Sequence, residues 1–296
     1  MKIILHGNDE PDTTKELMSI SAKDVAKLRE LTGAGMMDCK KALTETNGDM
    51  DAAVEFLRKK GQQVSEKRAD REANQGLILI HISDDHKNAA AIEINCETDF
   101  VARNDDFQQK AQAFLETAFN EKVSSADDLL AKPFEGRTVA DALTDMTGSI
   151  GEKIQISRAM YASTDGGFID YIHPGAQLGV LAEFDGSINN EDVARDVAMQ
   201  VAAMNPIAVN RDGVDSDVIQ KELEIAKEQL VNEGKPAEIA EKAAQGKLRR
   251  FYEERVLLEQ KFVKDNGISV KEYLEQNGAP LVTTFHRLQL GETNES

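Results

Sequence analysis

A thiol set among acids is the first place to look for chemistry: Cys96 stands in Glu93-Ile94-Asn95-Cys96-Glu97. Cysteine attacks as its thiolate, and neighbouring carboxylates raise the thiol pKa. Glu93 and Glu97 therefore disfavour a nucleophilic Cys96. No Ser-His-Asp arrangement, phosphate-binding loop or paired-acid site accompanies it. The five histidines show neither HxxxH nor HExxH spacing. Cys39 and Cys96 are too few and too isolated for a disulfide framework or a cysteine-only metal site. No cofactor and no metal is expected, and both thiols read as small packed hydrophobes in a reduced compartment. Directly downstream the run continues into Thr98-Asp99-Phe100-Val101.

The elements around them set their geometry. Ile92 and Ile94 alternate with Glu93 and Asn95, which predicts a half-buried strand. The alternation breaks at Glu97-Thr98-Asp99-Phe100. Thr98 or Asp99 is placed to cap a helix suggested by Val101, Phe107 and Ala111, because a side-chain oxygen there accepts a free amide hydrogen bond. Phe100 falls at the strand-to-helix corner. Two readings of it stand: a ring proud of the core, or a staple tucked under its own helix against Phe107.

At 296 residues the length suggests about two domains. Hydrophobic content of 41% and charged content of 30% describe a soluble, core-forming chain. No apolar stretch approaches the ~18 residues of a membrane span. Ile3-Ile4-Leu5 is too short for a secretory signal core, so a cytoplasmic location is expected. The net charge of -18 opposes general nucleic-acid binding, where lysine and arginine must replace phosphate counterions. A second reading of the acidity is a salt-rich cell, since net charge governs solubility more than fold.

Residues 1–17 carry Gly7, Asn8 and Pro11 without periodicity and read as a loose extension. Ser21 starts a helix in a weak capping box with Asp24, and Gly33-Ala34-Gly35 stops it. A second helix is predicted from about Asp38 to Thr46, with Cys39, Ala42 and Leu43 inward. A third is predicted from about Asp51 to Lys60, ended by Gly61. These short helices resemble a ubiquitin-associated-type bundle over residues 18–62, followed by a polar linker over 63–75. The remainder reads as a duplicated module, 76–165 and 166–290, with a tail over 291–296. Gly76-Leu77-Ile78-Leu79-Ile80-His81-Ile82 is echoed by Gly167-Phe168-Ile169-Asp170-Tyr171-Ile172-His173. Strand 90–95 is echoed by 179–184, and Val101-Ala102-Arg103 by Val193-Ala194-Arg195. Asp84-Asp85 and Pro174-Gly175 read as hairpin turns. Further strands are expected over 154–161 and 283–289. Inserted in the second copy, residues 216–255 read as an antiparallel helical hairpin with a narrow seam: Ile219, Leu223, Ala226 and Leu230 against Ala240, Ala244, Leu248 and Phe251. The predicted class is α+β: a three-helix bundle, then two related α/β modules with small antiparallel sheets and the inserted hairpin.

Glu93-Ile94-Asn95-Cys96-Glu97-Thr98-Asp99-Phe100-Val101-Ala102-Arg103 resembles a signature segment of the bacterial elongation factor Ts family. Leu28-Arg29-Glu30-Leu31-Thr32-Gly33-Ala34-Gly35-Met36-Met37-Asp38-Cys39-Lys40-Lys41-Ala42-Leu43 resembles the family's N-terminal signature. The likeness continues through His173-Pro174-Gly175-Ala176-Gln177-Leu178-Gly179 and Gly234-Lys235-Pro236-Ala237, covering residues 18–290. Two long motifs in order are far more specific than a short pattern. Relative to that family pattern, residues 1–17 are an extension, and an additional C-terminal helical module of some members is missing. The resemblance implies a guanine-nucleotide exchange factor of the GTPase elongation factor Tu, acting without covalent catalysis. It implies that Asp99 and Phe100, flanked by Thr98 and Val101, face the GTPase domain, with Phe100 as a wedge that disturbs the magnesium and phosphate site. It places His173 against the partner's β-barrel region and the hairpin as an arm reaching the partner; the exposed loop that Gly33-Ala34-Gly35 makes favours one of Met36 and Met37 as an apolar contact of the bundle. No direct nucleic-acid or membrane partner is expected, and a homodimer of complexes is compatible with the pattern. Local readings compete: His173 as a plain turn residue, Met36 and Met37 as core fillers. As whole-chain alternatives, a ubiquitin-type adaptor leaves the Thr98-Asp99-Phe100 corner unexplained, and a holdase lacks an exposed apolar tract.

Overall fold

Apolar period and turn chemistry dictate the element order, seen here in a computed structural model that describes residues 20–292. The expected loose extension over 1–17 and most of the tail lie outside the described residues. The chain runs through α1 (Ala22–Thr32), α2 (Met36–Glu45), α3 (Met50–Arg68), β1 (Gln75–Ile82), β2 (Asn88–Cys96), α4 (Asp99–Ala102), α5 (Asp105–Asn120) and α6 (Ala126–Leu130). A two-strand ribbon, β3 (Pro133–Phe134) and β4 (Arg137–Thr138), leads into α7 (Val139–Ile150), β5 (Gln155–Ser163), β6 (Gly167–Ile172), β7 (Leu178–Phe184) and α8 (Glu191–Met204). Then come α9 (Ser216–Asn232), α10 (Ala237–Arg255), the ribbon β8 (Lys261–Phe262) and β9 (Asp265–Ser269), α11 (Val270–Gln276) and β10 (Val282–Gln289). The class is α+β. Two compact units form: one holds the helices up to Lys67 together with residues 144–151, the other residues 68–143 and the chain from Glu152 onward.

In the helical unit, Val25, Leu28, Cys39, Ala42, Leu43 and Ala53 make the core. The Ser21 hydroxyl accepts the Asp24 amide at 3.1 Å and caps α1, and Gly33 at φ 65 ends it. Helix α2 begins at Met36, before the expected Asp38, so Met36 and Met37 occupy its first turn and not a loop. Gly61 does not end α3, which continues to Arg68 through residues expected in the linker. The reason is packing. Gly61 is buried, and a Cβ on Gly148 would come within 2.5 Å of its Cα. Gly61 lies in a close helix approach that depends on glycine at 148, while a Cβ on Gly61 itself would meet only ordinary contacts at 3.4 and 3.7 Å.

The second unit is two three-stranded antiparallel sheets, ordered β1-β2-β5 and β10-β7-β6. In each, a hairpin is followed by a helix and a third strand that pairs with the hairpin's second strand. Ile78, Ala89 and Ala91 of the first sheet pack on Phe168, Leu181 and Leu288 of the second. A Cβ at Gly179 would stand 2.7 Å from an Ile78 methyl, so the sheets approach there only because glycine has none. Helix α5 covers the other face of the first sheet, where the His81 and Phe119 rings meet at 4.3 Å. Helix α8 backs the second through Val193, Val197 and Val201.

Strand β2 is buried on both faces, not half-buried. Glu93 and Asn95, expected on a wet face, are each 2% exposed. Burying them is tolerated because each is paired. Arg158 donates to Glu93 and to the Gln289 carbonyl, the Asn95 amide donates to Glu93 at 2.7 Å, and the Ser157 hydroxyl donates to Asn95 at 2.7 Å. Helices α9 and α10 form the inserted hairpin on a seam of Ala226, Leu230, Ala240 and Ala244.

Candidate functional site

Strand β2 ends at Cys96, and the chain turns through Glu97 and Thr98 into the single turn of α4. The expected continuous helix is two helices. Asn104 starts α5 afresh, its side chain accepting the Phe107 amide at 3.1 Å. Phe107 is 1% exposed in the core, whereas Phe100 is 83% exposed. The staple between them does not form; Phe100 stands in solvent.

Thr98 is the N-cap residue of α4 but makes no capping bond with its side chain. Its hydroxyl donates to Glu152 Oε1 at 2.7 Å and its backbone amide to Glu152 Oε2 at 3.0 Å. Glu97 in turn accepts the Lys153 amide and an Arg68 guanidinium nitrogen, each at 2.7 Å. The Lys153 bond first, with Arg68 assisting, holds the Glu97 carboxyl below its ordinary value of 4.5. Lys153 Nζ also donates to the carbonyls of Ala69 and Arg71. Consecutive corner residues thus interlock with consecutive residues after α7. Asp99 pairs with Arg103 at 3.1 Å on the surface, and Val101 is partly buried.

Cys96 is buried, and its thiol donates to the Thr98 carbonyl at 3.1 Å. Its pKa is pushed up to about 12, by burial first and the Glu152 charge second. The expected direction holds, but the cause differs: Glu93 is spent on Arg158 and Glu97 on Arg68.

His173 is exposed where the β6–β7 hairpin turns, with Nδ1 2.9 Å from the Tyr171 hydroxyl. That hairpin lies at the same end of the core as the corner. Gln75, paired with Cys96, accepts from Gln177 at 3.4 Å, and the Ile78 amide donates to the Ala176 carbonyl at 2.7 Å. Met36 and Met37, 58% and 75% exposed, belong to the helical unit. Glu152, Lys153 and Arg68 were not singled out from the sequence, and Glu97 only for its charge beside Cys96. The only local hint is Gly151-Glu152-Lys153 after an amphipathic helix; their target lies far away along the chain. Among the described residues no three His, Cys, Asp or Glu side chains are grouped to hold a metal ion. No described helix is long and apolar enough to cross a membrane.

The described chain is thus an α+β protein with two three-stranded sheets, an exposed aromatic corner, an exposed hairpin turn and an inserted helical hairpin. Residues 97–292 match the family model described as Elongation factor TS. The chain is 48% identical to elongation factor Ts of Prosthecochloris aestuarii over 287 residues, covering 93% of this chain and 100% of the relative. It is 47% identical to that of Christiangramia forsetii over 278 residues, 93% and 100% of the two chains. Against Porphyromonas gingivalis elongation factor Ts it is 45% identical over 275 residues, 92% and 99%. The chain belongs to the elongation factor Ts family of translation factors.

Proposed function

We propose that this chain is a guanine-nucleotide exchange factor that binds the GDP form of elongation factor Tu and promotes GDP release so that GTP can rebind. The observation that supports it best is the 83% exposure of Phe100 on a corner fixed by hydrogen bonds. Exposing a large ring on a braced turn is unfavourable for the free protein and useful when a partner buries the ring. Exchange needs no covalent step. A factor that binds the nucleotide-free GTPase more tightly than the nucleotide-bound one must, by linkage, weaken nucleotide binding. A GTPase holds its nucleotide through phosphate contacts and magnesium, and Phe100 acts as a wedge against the elements that position them.

Magnitudes require help from elsewhere. Burying one phenylalanine contributes at most ~3 kcal/mol. Accelerating release ten-thousand-fold takes about 5.5 kcal/mol. We assign the remainder to Thr98, Asp99 and Val101 beside the ring, to His173, to Met36 and Met37, and to the helical hairpin. The domain division over 18–62, 76–165 and 166–290 belongs to the same reading.

Stopped-flow release of a fluorescent GDP from elongation factor Tu tests this directly. Wild type should accelerate release strongly. Phe100→Ala should lose about tenfold or more of the rate while retaining some complex formation. Unchanged release with Phe100→Ala would reject the wedge; no acceleration by wild type would reject the exchange reading.

A further inference from the structure

Helix α4 has four residues, too few to persist on its own hydrogen bonds. Its N-cap hydroxyl, which ordinarily steadies such a turn, is turned away to Glu152. Something outside the helix must therefore fix Thr98 in its extended conformation at φ -127, ψ 153. The Glu152 carboxylate does so with both oxygens, one on the Thr98 amide and one on the hydroxyl. Hydrogen bonds to a charged acceptor are about twice as strong as neutral ones. The carboxylate is itself anchored through the chain: Lys153 donates its amide to Glu97 and its ammonium to the Ala69 and Arg71 carbonyls. Asp99 cannot substitute, because it is paired with Arg103 in solvent.

We infer that Glu152 is the positioning residue of the exchange corner, clamping Thr98 so that Phe100 is presented in one orientation. The inference rests on the exchange reading above. A clamp of this kind lowers the entropy lost when the ring enters its partner, so it acts on the rate in the complex more than on encounter.

Release of fluorescent GDP is measured at rising concentrations of full-length wild type, Glu152→Ala, Glu152→Gln, Phe100→Ala and the Glu152→Ala, Phe100→Ala double variant. Glu152→Ala should lower the saturating release rate about tenfold, with the half-saturating concentration within about twofold of wild type. Glu152→Gln should recover most of the rate, since its carbonyl accepts the Thr98 amide while its amide donates to the hydroxyl oxygen. In the Phe100→Ala background Glu152→Ala should add little, because the two act through one ring. An unchanged saturating rate, or equal losses in both backgrounds, overturns the inference. If Glu152→Ala melts below the assay temperature, Glu152→Asp, which keeps the charge but draws the carboxylate back from Thr98, is judged by the same criteria. Amide exchange over residues 98–103 in the free protein separates this inference from the exchange reading. Faster exchange in Glu152→Ala at unchanged melting temperature supports the clamp, and unchanged protection overturns it. A wild type that leaves GDP release unaltered overturns the exchange reading, and the amide measurement still decides the clamp.

Discussion

Phe100 and Cys96 share one short run and have opposite surroundings. The Phe100 ring is in water; the Cys96 thiol is sealed beneath the corner with its pKa pushed up to about 12. Because the shift is upward, less thiolate is present at any pH below it. Moving from 9.0 to about 12 lowers the thiolate fraction at pH 8 roughly a thousandfold. Cys39 is also raised, again by burial first. Both thiols should therefore resist iodoacetamide at pH 8 in the native protein and react promptly once denatured, as read by mass of the alkylated peptides. Prompt native labelling of Cys96 would show that the corner opens. Alternation and capping rules placed Phe100 at a corner but left its ring undecided between solvent and staple. The deciding signal was in view: Asn104 followed by Asp105 and Asp106 is an N-cap with an acidic first turn, which starts a new helix and takes Phe107 inward without Phe100. The brace on Thr98 was not in view, because Glu152 meets it only through the tertiary fold.

Elements show where local rules stop. Gly61 and Gly246 both lie inside helices, and neither terminates one. Gly61 lies against Gly148, whose own Cβ would come within 2.5 Å of the Gly61 Cα, so close approach requires the missing side chain at 148; at Gly246 nothing lies within 4 Å of where a Cβ would be. A termination rule cannot separate these cases, since the distinction resides in a partner helix. Gly246→Ala should therefore stabilise the hairpin by about 0.5–1 kcal/mol, the ordinary helix penalty of glycine. Slower amide exchange along α10 would report it, and faster exchange would mean that a contact absent from this geometry exists. The duplicated modules make a similar point. Asn190 caps α8 as Asn104 caps α5, so Val193 corresponds to Phe107 and the expected match of Val101-Ala102-Arg103 to Val193-Ala194-Arg195 is out of register: the short α4 has no counterpart in the second copy. The corners before those caps differ. Four residues before the cap the second copy has Gly186, with no side chain, where the first has the exposed Phe100. One copy of the repeat offers a ring at this point and the other does not.

At the scale of the whole molecule the controlling quantity is the net charge of -18, from 53 acids against 35 lysines and arginines. Its consequence depends on two opposed electrostatic effects. Surface ion pairs such as Lys227 with Glu241 and Arg211 with Glu259 favour the fold and are weakened by salt. Carboxylates in excess of the cations repel one another in the compact state, and salt relieves that repulsion. Exposed pairs contribute ~0–1 kcal/mol each at best, and screening over about 10 Å at 0.1 M already reaches most neighbouring acids. The buried pair of Arg158 with Glu93 is shielded from solvent and changes little. Relief of repulsion should therefore win. The melting temperature should rise as potassium chloride increases from ~0.05 to ~1 M, most steeply at the low end where the screening length falls fastest. Replacing chloride by sulfate tests the assignment, because an excluded anion strengthens apolar burial as well and should raise the curve further at the same ionic strength. A melting temperature flat in potassium chloride would mean that self-repulsion does not limit this fold, and would remove the salt-rich-cell reading of the composition. A fall would mean that the surface ion pairs carry more of the stability than their exposure suggests.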